Sequence, residues 1–227
     1  MTPKRIWTYK GSDGIKELRD IENETEPVEV KPHLPVQNLE EFIYVPSINL
    51  YVAKERTLLG KNWFDTQKEL HSKNEKMLNP YEFVEFLKYT KGNNKEIYDE
   101  ITEVKSPWRA EWLDADFKVK NGILYINYHI FDEKGKIVQK SEVLDKNTLM
   151  VDKTPGVSLE DYLLNSHTSQ GLPSSDIKKG DLYYWFPRSD NNSVGRFCAF
   201  GDWAYLDCSW VPSDRVGIFG VRAARKA

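Results

Sequence analysis

The stretch FCAFGDWAYLDCSW, residues 197–210, decides how the rest of the chain is read. Extended backbone sends successive side chains to opposite faces, so residues of like parity share one side. Read as a strand, residues 197–200 put Phe197 and Ala199 on one face, with Cys198 and Phe200 on the other. Gly201 then supplies a turn. Beyond it Ala204, Leu206 and Cys208 form a small, aliphatic inward stripe, while Trp203, Tyr205, Asp207 and Ser209 point outward. An inner face is therefore already supplied, and the outward aromatics are surplus to it. On this reading Cys208 is buried and inert, Cys198 is exposed, and no disulfide joins them. The other reading, that these aromatics are core, stays open on pattern alone.

The surrounding composition supports a special role for this end of the chain. Residues 183–227 contain ten aromatic residues, four Asp and a single Lys, and no Glu. Elsewhere Glu and Lys abound, as solvated faces require. Aromatics dotted with Asp, Asn, Ser and Gly make rigid contact area with adaptable hydrogen bonding, the composition of binding loops. The candidate binding residues are Cys198, Phe200, Asp202, Trp203, Tyr205, Asp207, Ser209, Trp210, Val211, Asp214, Arg215, Val216 and Ile218.

Upstream, Asn79-Pro80-Tyr81-Glu82 reads as a helix start, with Asn as cap, Pro at the first helical position and Glu reaching back. Phe83, Phe86 and Leu87 then bury one face. An earlier helix is expected from near Trp63 to His71, with Trp63, Phe64 and Leu70 as its apolar contributors, and a short one over residues 96–101. In residues 111–143 the period changes to two: Leu124, Ile126 and Tyr128 alternate with Tyr125, Asn127 and His129. Asn121-Gly122 and Asp132-Glu133-Lys134-Gly135 mark turns of a three-stranded antiparallel meander. Ser158 with Asp161 opens another short helix through Leu164. Residues 20–35 (DIENETEPVEVKPHLP) hold three prolines among glutamates, so residues 1–40 read as a loosely ordered arm or linker, and 41–227 as the folded domain.

The whole chain has 227 residues, 40% hydrophobic and 30% charged, with 7 Trp, 12 Tyr and 10 Phe. That content excludes wholesale disorder. Lys plus Arg number 32 against 35 Asp plus Glu, a net charge of -3, so no whole-chain basic field argues for nucleic acid. No run of about 18 apolar residues reads as a membrane span. Met1-Thr2-Pro3-Lys4-Arg5-Ile6-Trp7 lacks a following apolar segment, so no secretory signal is expected and the protein reads as cytoplasmic or virion-associated.

Catalytic motifs are sparse. His33, His71, His129 and His167 stand far apart, and no nucleophile elbow, phosphate loop or dinucleotide fingerprint occurs. Glu111 with Asp114 or Asp116 could pair as acid and base. Cys198 and Cys208, with nine residues between them, match no zinc spacing. No metal and no cofactor is expected.

Several short motifs, in order, carry a resemblance. Tyr183-Tyr184-Trp185-Phe186-Pro187-Arg188, Val194-Gly195-Arg196-Phe197, Pro212-Ser213 and Gly220-Val221-Arg222-Ala223-Ala224-Arg225 resemble the variable proteins of diversity-generating retroelements. Tyr51-Val52-Ala53-Lys54, Gly60-Lys61-Asn62-Trp63-Phe64 and Ser106-Pro107-Trp108-Arg109-Ala110-Glu111-Trp112-Leu113-Asp114-Ala115 are similar to that family's body. The resemblance covers residues 42–227. It implies an α+β, C-type lectin-like fold with short antiparallel strands and flanking helices. It implies a non-catalytic ligand-binding protein whose 3′ gene end is rewritten by a reverse transcriptase, with residues 183–227 as the variable region. Trp185, Pro187, Phe197, Leu206, Val221 and Ala223 would be scaffold, and the partner a protein or cell-surface ligand. Calcium-dependent sugar lectins use motifs that are missing here, where Asp190-Asn191-Asn192 is a weak oxygen cluster. The alternative is a formylglycine-generating oxidase of the same fold, whose closer cysteine pair this chain does not match.

Overall fold

A computed structural model describes residues 5–10, 15–20, 39–104, 106 and 108–227. The chain divides into two compact units, Met1–Gln37 and Asn38–Ala227. The first holds an antiparallel hairpin of β1 (Arg5–Lys10) and β2 (Ile15–Asp20), where the sequence suggested only an arm. The proline-bearing residues 21–35 lie outside the described residues.

The second unit is mixed α+β, mostly sheet. A 3-10 turn (Leu39–Glu41) leads into β3 (Phe42–Val45) and β4 (Leu50–Ala53). Three helices follow: α1 (Trp63–Ser72), α2 (Pro80–Asn93) and α3 (Lys95–Thr102). The meander is β5 (Arg109–Lys120), β6 (Ile123–Phe131) and β7 (Ile137–Val143). Then come β8 (Lys153–Val157), α4 (Leu159–Leu164), β9 (Leu182–Trp185), β10 (Ser193–Phe200) and β11 (Trp203–Trp210). Short strands β12 (Phe219–Gly220) and β13 (Ala224–Lys226) end the chain.

The local signals behave as their chemistry requires. Asn79 accepts from the Glu82 amide at 2.9 Å while Glu82 returns a bond to the Asn79 amide, so two orphan donors of α2 are satisfied together. Asn62 and Ser158 cap α1 and α4 more simply, accepting from the amides of Asp65 and Asp161. Asn121 and Gly122 both take positive φ, 53° and 77°, as the tight turn between β5 and β6 demands. Gly201, φ 61°, does so between β10 and β11. One expectation fails: Phe64 stands 50% exposed, and α1 buries Trp63, Thr66, Gln67 and Leu70 instead.

The main sheet runs β7-β6-β5-β10-β11-β9-β8, with β12 added in parallel beside β5. β9 lies parallel to β11; the other neighbours on this path are antiparallel. β13, β4 and β3 form a separate three-stranded sheet.

Each face of the main sheet meets its own core. On one side Leu113, Ala115, Phe117, Tyr184, Phe197, Leu206 and Cys208 pack with Phe83, Phe86 and Leu87 of α2 and with Tyr162 of α4. On the other, Ala110, Trp112 and Cys198 pack with Trp63 and Leu70 of α1 and with Phe219, Val221 and Ala223 of the returning chain. Arg222, 2% exposed, ties that return down by donating to Glu111 at 2.8 Å. This second cover stops short of the β11–β9 end. There the outer face stays open.

Candidate functional site

The site begins with strand parity. Tyr205 lies beside Tyr183 and Asp207 beside Trp185 across the β11–β9 pairing, while Arg196 faces Asp207 and Phe200 faces Trp203 across β10–β11. All seven side chains therefore project to the same side. A register shift between Val194 and Arg196 brings Arg196 into this set: Gly195 sits in the irregularity, where a Cβ would come within 3.1 Å of that of Ala115.

Five of them, Trp185, Arg196, Phe200, Tyr205 and Asp207, wall a hollow of about 590 Å³ together with Ser209, Trp210, Val211 and Asp214. Trp185 stacks on Tyr205 at 5.1 Å and 22°, and Tyr183 on Trp203 at 4.7 Å and 16°. Phe200 leans on Tyr205 at 5.9 Å and on Trp108 behind it. Such contacts hold the rings in place. Burial keeps the Tyr205 phenol above its ordinary pKa, Cys198 adding to the effect, so a neutral ring faces the hollow.

The floor is polar. Arg196 donates to Asp207 at 3.0 and 3.2 Å, and its guanidinium lies 3.4 Å from the ring centre of Trp210. The second oxygen of Asp207 accepts from the Ser209 amide at 2.9 Å and from its hydroxyl at 2.8 Å. Asp214, by contrast, makes no side-chain hydrogen bond or ion pair among the described residues.

Of the thirteen residues expected from sequence, Phe200, Tyr205, Asp207, Ser209, Trp210, Val211 and Asp214 line the hollow. Asp202 and Trp203 are exposed beside it, Trp203 at 38%. The others are placed differently. Cys198 is 5% exposed rather than outward, because the returning segment with Phe219 covers its part of the face. Burial pushes its thiol up to about 12 and that of Cys208 well above its usual value, so neither is a ready thiolate. Asp207, although it lines the hollow, is only 5% exposed beneath its ion pair. Val216 and Ile218 are half-buried against the second core. Arg215 is exposed but turned to pair with Asp65 of α1.

Residues expected as scaffold divide the same way. Phe197, Leu206, Val221 and Ala223 are core and Pro187 is buried, whereas Trp185 belongs to the hollow. The sequence reading missed Tyr183, Trp185 and Arg196. The signal was present in Leu182-Tyr183-Tyr184-Trp185, whose alternation buries Leu182 and Tyr184 completely.

The acid–base candidates do not come together. In β5, Glu111 points opposite to Asp114 and Asp116, as odd and even positions must, and binds Arg222. Asp114 is sealed against Gln67 at 2.5 Å and the His129 ring at 3.1 Å, and Asp116 pairs with Lys118 at 2.8 Å. Asp190 and Asn191 spend their side chains on backbone amides of Asn192 and Val119. Among the described residues no group of three His, Cys, Asp or Glu is placed to hold a metal, and no helix is long and apolar enough to cross a membrane.

Compared with protein-family models, with curated proteins and with solved structures, the chain matches none.

Proposed function

We propose that this chain is a non-catalytic ligand-binding protein presenting a diversifiable face on a C-type lectin-like scaffold, as its resemblance to retroelement variable proteins implies. One observation carries the reading: β11 separates its two duties by parity. Ala204, Leu206 and Cys208 are at most 7% exposed and hold the fold, while Trp203, Tyr205 and Ser209 look outward around the hollow. Side chains on such a face change with little effect on the core. Rigid aromatics with interspersed short polar groups supply anchor area at low entropic cost. The partner is a protein or cell-surface ligand. The oxidase alternative gains nothing from Cys198 and Cys208, which sit in separate cores on opposite faces of the sheet.

The test is genetic. Sequencing around the encoding locus should reveal a reverse-transcriptase gene and a near-copy of the 3′ end. Differences between the two copies should fall in codons for the outward residues, Phe200, Asp202, Trp203, Tyr205 and Ser209 among them. A locus without a reverse transcriptase and without the second copy would overturn the assignment.

A further inference from the structure

We infer that the hollow takes the guanidinium of an arginine side chain presented by a partner protein; this rests on the ligand-binding role proposed above. The molecule already shows how that group is held. The Arg196 guanidinium lies over the Trp210 ring at 3.4 Å while Asp207 takes two of its N–H groups at 3.0 and 3.2 Å. A planar cation between an aromatic face and a carboxylate uses both of its recognition modes at once.

The rest of the hollow repeats these parts without a cation. Asp214 lines it with its carboxylate uncommitted, and the aromatic rings of Trp185, Tyr205 and Phe200 line it too. Arg215, the next residue in the chain, is turned away to Asp65. The charges that line the hollow are thus two carboxylates, Asp207 and Asp214, against one cation that Asp207 already engages. That balance attracts a second cation and repels an anion. An apolar side chain would dehydrate Asp214 and return nothing for it. Arginine fits better than lysine, since only a flat guanidinium both stacks and offers a fork of donors. At about 590 Å³ the hollow is within the ~300–1,000 Å³ range of ligand clefts, ample for one such side chain.

The test titrates the pentapeptide acetyl-Gly-Gly-Arg-Gly-Gly-amide into the full chain and follows the indole N–H resonances of Trp185 and Trp210. Saturable shifts of these signals are expected. Replacing arginine by neutral, nearly isosteric citrulline should weaken binding by about tenfold or more, as loss of a charge-assisted pair does. Asp214→Asn should do the same with an unchanged melting temperature, and Trp185→Ser should abolish the shifts. Citrulline binding as tightly as arginine, or indifference to Asp214→Asn, would refute the inference while leaving the ligand-binding face intact. Cellohexaose moving the same signals more tightly than the arginine peptide would refute it in favour of a carbohydrate. Peptide contacts that spare both indoles would refute it as well, whereas the retroelement assignment falls only with the locus.

Discussion

Replacing Asp207 by Ala separates a surface reading of the outer stripe from the structure described above. As an exposed member of that stripe, Asp207 would tolerate the change at less than about 0.5 kcal/mol. Its side chain is instead 6% exposed and that of Arg196 13%, so the pair is largely removed from water. Deleting one partner leaves the other as an uncompensated buried charge, which costs about 3–5 kcal/mol. The Ser209 amide also loses its acceptor. Set against this, the Arg196 guanidinium keeps its place on Trp210. The expected loss is therefore about 3 kcal/mol, near the lower end of that range. Equilibrium urea unfolding should show it as a lowered midpoint with the slope unchanged. Adding Arg196→Met should recover a large part of the loss, because an apolar pair of similar volume is often no worse than a buried ion pair. A single-variant loss below about 0.5 kcal/mol, or no recovery in the double variant, would refute the argument.

Other expectations follow from the same placement of side chains. Leu206→Ala, at a fully buried site between β11 and α2, should cost roughly 2–5 kcal/mol by the same urea assay. Neither cysteine should react with an alkylating agent in the native protein, and both should react in denaturant without reductant; rapid native labelling of Cys198 would contradict its burial. His71 gives a pH dependence. Burial, with His129 adding, lowers its folded pKa below the unfolded value of about 6.5, so on acidification the unfolded chain takes up the proton first. Stability should accordingly fall as pH drops through that value and below, and His71→Gln should flatten the slope between pH 7.5 and 5.5; equal slopes would remove His71 from the account.

How much of this was legible beforehand depended on distance along the chain. The capping box at Asn79 and Glu82, the Asn121-Gly122 turn and the parity of residues 203–209 are settled within a few residues, and each stands as read. The burial of Cys198 is decided by Phe219 and Ala110, which the sequence holds far apart. The same holds for Asp207, whose apparent exposure vanishes once Arg196 is brought opposite it by the irregularity at Gly195. Phe64 shows the converse error: an apolar residue at a plausible helical position with no partner to cover it. The aromatic wall was half visible, since Trp185 was assigned to the scaffold before its parallel pairing with β11 placed it in the hollow.

The central claim is that the open residues on one face of β10 and β11 and in the turn between them can vary while the other face holds the fold. It is tested most directly by randomising Phe200, Asp202, Trp203, Tyr205 and Ser209 together and counting the library members that resist protease on a display platform. Most members should remain folded, whereas randomising Ala204, Leu206 and Cys208 should leave few. Equal survival of the two libraries, or collapse of the first, would contradict the claim.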